Sequence, residues 1–210
     1  MQPFTKLTAV AAPLEMSNVD TDKLIPNRFF RKARGAGLQR YLLHDIRFDA
    51  DGNERPEFVL NQELYRNANI LVAGANFGCG SAREAAVYVV VDYGIRVVIA
   101  PSFSDIYYGN MLQNGMLPVV LPDTICGKLQ RQLREQPGAH ITVDLESQSV
   151  TGSDGAVYRF EIDPVRLRWI NKSLLKHDTL AGEEPIGLVE IADVIMAVGF
   201  YVFPADSSCF

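Results

Sequence analysis

Unbroken apolar runs alternate with helical patterns through the middle of the chain. The runs NILVAGA, IRVVIAP and MLPVVLP are predicted strands, because a strand that is covered on both faces shows no polar alternation. Between them, SAREAAVYVVVDYG and SFSDIYYGNMLQNG are predicted helices, the first ended by Gly94 and the second capped by Ser102 or Ser104. Strands that alternate with helices pair in parallel, so this region predicts a parallel sheet core.

The pattern changes on either side of this core. Before it, NVDTDKLIPNRFF predicts an irregular first third of loops and short extended pieces, because Pro26 forbids a helix through it. After the polar helix CGKLQRQLREQPG, the runs HITVDLE, QSVTG and AVYRFEI alternate as antiparallel strands do, and Pro164 is predicted to open the helix VRLRWINKSLL. No repeat or linker separates these parts. The predicted fold class is α/β, in a single domain over residues 1–210.

Composition narrows the possible functions. The formal net charge of -5 argues against nucleic-acid binding, which needs a positive patch to displace counterions. The three cysteines, Cys79, Cys126 and Cys209, are odd in number and far apart, which argues against a disulfide scaffold or a zinc site and favours a cytoplasmic protein. The runs LTAVAAPL and VIMAVGFYVF are too short for a signal peptide and a membrane span, so we expect no membrane association and a buried C-terminal segment.

The glycine-rich stretch GANFGCGSARE, residues 74–84, lies between a predicted strand and a predicted helix. Neither nucleotide fingerprint fits, because Arg83 stands where GxGxxG needs a glycine and no lysine follows as in a Walker loop. Such glycines expose successive N–H groups that favour an anion, and Arg83 can bind a carboxylate with two parallel hydrogen bonds. Ser81 and Glu84 have the spacing of a capping box, so the residues alone favour a helix cap for Ser81.

Three stretches carry a family resemblance: NVDTDKLIP, DADGNERPEFVLNQELYRNANILVAGANFGCGSARE and YGIRVVIAPSFSDIYYGNMLQNGMLPVVLP. They resemble the small subunits of bacterial 3-isopropylmalate dehydratases, which are related to the mobile, or swivel, domain of aconitase. The resemblance ends near FEIDP, so a divergent C-terminal extension is expected from about residue 165. It implies a swivelling β/β/α domain like the aconitase C-terminal domain, with parallel core strands and an added antiparallel hairpin.

The resemblance also implies a reaction and a partner. The family dehydrates and rehydrates a small hydroxy diacid, and a large subunit carries a [4Fe–4S] cluster on three cysteines while the small subunit closes over it. The cluster's open iron acts as a Lewis acid on the substrate. This chain lacks such a ligand set and is expected to bind no cluster alone.

Site residues follow from the same resemblance. Ser81 matches the serine that removes the proton next to a carboxylate, and Asp22 matches an aspartate that helps to arrange the site. A serine can act as a base only if nearby N–H dipoles and a cation stabilise its alkoxide. The residues expected to contact the substrate are Arg83, Gly80, Ala82 and one of Arg28, Arg31 and Arg34.

Two departures from the family motif keep several functions open. GSSREHA is usual where this chain has GSAREAA, so Ala82 replaces a serine and Ala85 a histidine. Fewer hydrogen-bonding groups can change which diacid fits. We expect 3-isopropylmalate as the substrate, in leucine biosynthesis; the alternatives are a small subunit for 2-methylmalate or citraconate, a non-catalytic regulatory subunit, and a free-standing anion-binding module.

The stretch RFFRKARGAGLQRY is expected to determine which side group of the substrate fits the site. An isopropyl group needs an apolar pocket, and only Phe29, Phe30 and Leu38 offer one in this stretch. These three residues are therefore the candidates for that pocket.

Overall fold

The chain's first strand lies inside the sheet. The computed structural model describes residues 4–32, 37–81, 83–163 and 166. Its strands are β1 Lys6–Leu14, β2 Ile70–Ala73, β3 Val97–Ala100, β4 Leu117–Val120, β5 His140–Asp144, β6 Ser149–Thr151 and β7 Val157–Arg159. They form one sheet in the order β4-β3-β2-β1-β5-β6-β7.

β1 joins a parallel half of the sheet to an antiparallel half. Its last residues pair in parallel with β2, from Ala11 opposite Ile70 onward, and its first residues pair antiparallel with β5, from Lys6 opposite Asp144 onward. β2, β3 and β4 are parallel, whereas β5, β6 and β7 are antiparallel. The prediction of parallel core strands with an antiparallel addition is confirmed.

The prediction of an irregular first third is wrong at β1. This strand contains three alanines and Pro13, residue types that are depleted in strands, so its sequence gives a weak strand signal. Its pairing on both sides overrides that preference.

The helices are α1 Thr21–Leu24, α2 His44–Arg47, α3 Ala85–Tyr93, α4 Asp105–Gln113 and α5 Asp123–Glu135, with 3-10 turns at Asn27–Phe29, Leu38–Tyr41 and Val59–Asn61. Gly94 ends α3 with a φ of 110°, as predicted. Within the described ranges, no helix is long and apolar enough to cross a membrane. Beyond residue 163 the structure describes only Arg166. Three predictions therefore lie outside the described residues and stay predictions: the helix after Pro164, the C-terminal extension and the buried terminal segment.

Helices cover both faces of the parallel strands. Side chains of β2 alternate between two cores: Leu71 packs with the apolar side of α3, and Val72 packs with that of α5. This explains why all four residues of β2 are apolar and buried. Because the strands run in parallel, the segments that follow β1, β2 and β3 meet at one edge of the sheet, which is where ligands bind in open α/β folds.

A buried polar pair holds residues 42–66 against α3. Arg47 is only 4% exposed, and its guanidinium lies 5.1 Å from the centre of the Tyr93 ring on α3. Its Nε donates to Asn61 Oδ1 at 3.0 Å, and Asn61 Nδ2 donates to the carbonyl oxygens of Arg47 and Arg55 at 2.7 and 2.9 Å. Each polar atom of the Asn61 side chain thus satisfies a buried or half-buried partner.

We predict that Asn61→Ala lowers the free energy of unfolding by about 3 kcal/mol, because two carbonyl groups and a buried guanidinium lose their partner. Chemical denaturation measures the change. Gln62→Ala is the matched control, since this exposed neighbour donates a single 3.2 Å bond to Glu57 and should change stability by less than about 0.5 kcal/mol. Equal losses in the two variants would contradict the assignment.

Candidate active site

The segments that follow β1 and β2 are also hydrogen-bonded to each other. Residues 16–21, which follow β1, run beside residues 74–81, which follow β2. The backbone bonds are Gly74 N–H to Met16 O (3.0 Å), Asn18 N–H to Ala75 O (2.8 Å), Gly78 N–H to Val19 O (2.8 Å) and Thr21 N–H to Cys79 O (3.0 Å). The D-T-D motif, Asp20-Thr21-Asp22, and the glycine loop therefore form one hydrogen-bonded unit.

Within this unit, the side chain of Thr21 binds Ser81. Its side chain is 1% exposed, and its hydroxyl donates to the Ser81 carbonyl oxygen at 2.7 Å. Asp20 caps α1 by accepting from the Lys23 N–H at 2.7 Å, which fixes Thr21 at the first position of that helix. A buried hydroxyl thus sets the backbone position of a predicted catalytic residue.

Two glycines of the loop are required by their surroundings. Gly78 has a φ of 74°, and a Cβ there would overlap the ring of Tyr107 on α4. A Cβ on Gly74 would lie 2.7 Å from the Met16 carbonyl oxygen. Tyr107 is fully buried, and its hydroxyl donates to the Ala86 carbonyl oxygen at 3.0 Å, so the ring that excludes a side chain at Gly78 also ties α4 to α3.

The loop is also bound to the segment that follows β3. Asn76 N–H donates to Ser102 Oγ at 2.9 Å, and Phe77 N–H donates to the Ser102 carbonyl oxygen at 3.0 Å. Of the two serines predicted to cap α4, Ser104 occupies the cap position, although its side chain makes no capping bond. Ser102 instead supports the glycine loop.

The predicted capping box of Ser81 and Glu84 is wrong. α3 begins at Ala85 with Glu84 at the cap position, and the Glu84 carboxylate accepts from Asn114 Nδ2 at 3.4 Å. The hydrogen bond from Thr21 holds Ser81 outside the helix. Ser81 and Gly80 are exposed, and their backbone N–H groups have no acceptor among the described residues.

Arg83 is fixed by two different contacts. Its Nη1 donates to the carboxylate of Asp22, although the two residues are 61 positions apart in the sequence. Its guanidinium carbon lies 4.4 Å from the centre of the Phe30 ring. The structure thus brings Asp22 and Arg83 together beside the loop that carries Ser81.

The arginine candidates differ in their partners. Arg28 donates to both carboxylate oxygens of Asp45, with Nη1 2.9 Å from Oδ2. The same arginine holds the pKa of the Asp45 carboxyl below its ordinary value, mainly through this hydrogen bond. Arg31 is exposed and has no hydrogen bond or ion pair to any residue that the structure describes. Arg34 and Ala82 lie outside the described residues.

Thr21 is a residue that sequence analysis did not assign to the site. Thr21 stands in the middle of the D-T-D motif, so that motif was a signal that could have identified it. Phe30 was predicted as a pocket residue, but its contact with Arg83 was not, because that contact depends on how two distant segments fold together.

The described cysteines do not form a cluster site. Cys126 is buried in α5, and burial raises the pKa of its thiol to about 12, so it is not a thiolate at neutral pH. Cys79 is partly exposed in the glycine loop, and Cys209 lies outside the described residues. Among the described residues, no three His, Cys, Asp or Glu side chains are grouped to hold a metal ion.

Comparisons with known proteins place these features in context. The family model described as the aconitase C-terminal domain matches residues 1–124, and the model described as LeuD_N matches residues 128–164. The chain is 50% identical over 188 residues to a protein of Parvibaculum lavamentivorans, covering 90% of this chain and 89% of that protein. It is 52% identical over 168 residues to a protein of Phenylobacterium zucineum, covering 79% and 81%. Both relatives are named 3-isopropylmalate dehydratase small subunit.

A solved structure supports the same fold. The crystal structure of 3-isopropylmalate dehydratase (leuD) from Methanocaldococcus jannaschii matches with a TM-score of 0.61, covering 84% of this chain and 96% of that chain. The two sequences are 24% identical, so this similarity supports the fold alone.

We predict that Thr21→Val lowers the free energy of unfolding by about 1 kcal/mol, because the isosteric side chain cannot donate to the Ser81 carbonyl. Chemical denaturation measures the change. Thr21→Ser keeps the hydroxyl and should recover part of the loss; a serine variant that is as unstable as the valine variant, or less stable, would contradict the role of the hydroxyl.

The Arg28–Asp45 pair generates a pH prediction. Because the pKa of Asp45 is lowered in the folded state, its ionised form stabilises the fold above its unfolded pKa of about 4, and this contribution is lost as the pH falls through the folded pKa. Arg28→Gln should raise the pKa of Asp45 toward its ordinary value in a carboxyl NMR titration. Arg55→Gln is the control. The Arg55 side chain donates to the Phe48 carbonyl oxygen and not to Asp45, so its loss should leave the Asp45 titration unchanged.

Proposed function

The chain belongs to the family of 3-isopropylmalate dehydratase small subunits, within the aconitase C-terminal domain family, and on that premise we propose that it is the small subunit of a heteromeric iron–sulfur hydro-lyase. This enzyme interconverts 2-isopropylmalate and 3-isopropylmalate by dehydration and rehydration, in leucine biosynthesis. A large subunit is its partner, and the assembly works in the cytoplasm.

One observation carries the proposal. The two motifs of the resemblance, D-T-D and GSARE, are hydrogen-bonded to each other, since Thr21 donates to Ser81 and Arg83 donates to Asp22. These contacts join residues that are far apart in sequence at the edge of the sheet where ligands bind. The assignment of the site to Ser81, Arg83 and Asp22 draws its support from this arrangement.

Ser81 is the proposed base. Its exposed position gives a substrate access to the hydroxyl, and the N–H groups of Gly80 and Ser81, which have no acceptor among the described residues, can stabilise the alkoxide that accepts the proton. The positive amino-terminal end of α3, which begins at Ala85, adds to this stabilisation. Ser81 thus removes the proton next to the substrate carboxylate and returns it in the reverse step.

Arg83 binds a substrate carboxylate in this proposal. Asp22 occupies Nη1 of Arg83, so the remaining N–H groups of the guanidinium are available to the substrate. Arg31 is the proposed second arginine, because Arg28 is already paired with Asp45. Arg34 stays a candidate beside it.

The [4Fe–4S] cluster is assigned to the large subunit. The described cysteines of this chain do not fit it, since Cys126 is a buried thiol and Cys79 alone cannot supply the ligands. The Lewis-acid chemistry at the substrate hydroxyl therefore belongs to the partner, and this chain supplies the base and the carboxylate-binding groups. An exposed site on the isolated chain suits a subunit that closes over a partner.

The substrate's side group is the part of the proposal that the altered motif affects. Leu38 is 2% exposed and Phe29 stacks on Tyr41, so Phe30 is the candidate that stands beside Arg83. An aromatic wall at that position suits the isopropyl group of 3-isopropylmalate. A smaller diacid such as 2-methylmalate or citraconate is the alternative substrate.

The test uses the purified complex with the large subunit, prepared without oxygen, in hydration assays on isopropylmaleate and citraconate. Ser81→Ala should lower kcat at least about 100-fold with the complex intact on gel filtration, because it removes the proton acceptor. Ser147→Ala, a matched change on an exposed turn where the hydroxyl contacts Ser149 and Asp144, should leave kcat unchanged.

Each alternative predicts a different result. Activity on citraconate but not on isopropylmaleate would identify the chain as the small subunit of a 2-methylmalate or citraconate enzyme. A stable complex that is inactive on both would favour a regulatory subunit. Full activity of Ser81→Ala on either substrate would end the assignment of Ser81 as the base.

A further inference from the structure

We propose that Phe30 is a positioning residue that holds Arg83 in the orientation needed to bind the substrate carboxylate. The inference rests on the proposed function of Arg83. It assigns to the basic segment of residues 28–32 a role that depends on an aromatic ring as well as on charge.

The two contacts of Arg83 restrict different motions. A guanidinium is a flat group with two faces and an edge of N–H donors. Asp22 binds at the edge through Nη1, and the Phe30 ring covers one face at 4.4 Å. An edge contact alone lets the group tilt about the hydrogen bond, whereas a ring on its face fixes the plane. The N–H groups of Arg83 that have no partner among the described residues then point in one direction.

Phe30 can restrict Arg83 because its own segment is fixed. The neighbouring Phe29 ring stacks on Tyr41 at 4.1 Å with an interplanar angle of 19°. Arg28 is paired with Asp45, and its guanidinium covers the Phe29 ring at 4.6 Å. These contacts attach residues 28 and 29 to residues 41–45.

The backbone adds a second restraint on Phe30. Its N–H donates to the Asn27 carbonyl oxygen at 3.2 Å, and the Lys32 N–H donates to the Phe29 carbonyl oxygen at 3.0 Å. Phe30 is half-buried and packs against the core on the α3 side of the sheet. The ring therefore acts as a fixed wall for a side chain that is one-third exposed.

The expected defect is in substrate binding. A group that binds the substrate equally well in the ground state and the transition state changes KM and leaves kcat unchanged. Loss of a cation–π contact at a partly desolvated site corresponds to a change of up to about tenfold. Phe30→Leu should therefore raise KM for the diacid by about tenfold with kcat nearly constant.

The experiment compares variants in the complex with the large subunit. Phe30→Leu keeps an apolar side chain without the ring, and Phe30→Tyr keeps the ring and should restore KM. Tyr158→Leu is the matched control, because it removes a ring from a different cation, Lys128, whose Nζ lies 5.6 Å from the Tyr158 ring centre. This control should leave KM unchanged.

A second background tests whether Phe30 acts through Arg83. In Arg83→Gln, which has no cation to position, Phe30→Leu should change kcat/KM by less than about twofold. A KM increase of equal size in both backgrounds, or no increase in the wild-type background, would overturn the proposal.

A measurement on the full-length chain keeps this test separate from the proposed function. Guanidinium NMR signals of Arg83 should carry a ring-current shift that disappears in Phe30→Leu and remains in Phe30→Tyr. If the wild-type complex were inactive on every diacid, the proposed function would fail, and this spectrum would still decide the positioning. An Arg83 signal that Phe30→Leu leaves unchanged would overturn it.

Discussion

The parallel pairing between the first strand and the second is the constraint on which the site depends. Beyond the strand register that places Ala11 opposite Ile70, residues 16–21 remain hydrogen-bonded to residues 74–81. The two loops are therefore held together by backbone hydrogen bonds. Thr21 lies at the end of this series of hydrogen bonds and binds Ser81, so the geometry of the candidate site depends on the pairing of these two segments.

Much of this fold could be predicted from patterns along the chain. The apolar runs of β2 and β3 are strong signals because helices cover both faces of the sheet. β1 was missed because its alanines and Pro13 give a weak strand signal, and only its two partners, distant in sequence, make it a strand. The position of an element inside a sheet is a tertiary property that local propensity does not contain.

The site was predictable only in part, for a similar reason. Family resemblance predicted Ser81, Arg83 and Asp22 as site residues, an assignment that stays a proposal, and the spacing of Ser81 and Glu84 suggested a capping box that does not form. The Thr21 hydroxyl, from a distant segment, donates to the Ser81 carbonyl oxygen, and α3 begins only at Ala85. In the same way, Arg28 was one of three arginine candidates, and its pairing with Asp45, 17 positions away in the sequence, could not be predicted. Partners that are remote in sequence decide which charged groups remain available.

The place of β1 in the sheet has a consequence for synthesis of the chain. Residues 6–10 are synthesised well before their partner in β5, which is made after residue 139. The amino-terminal half of β1 must therefore wait, with open backbone groups, while the parallel half assembles around β2. Such long-range pairings fold slowly and expose unpaired strand edges in the interval. The pairing of β1 is thus completed only after β5 has been made, and the edge of its amino-terminal half stays unpaired until then.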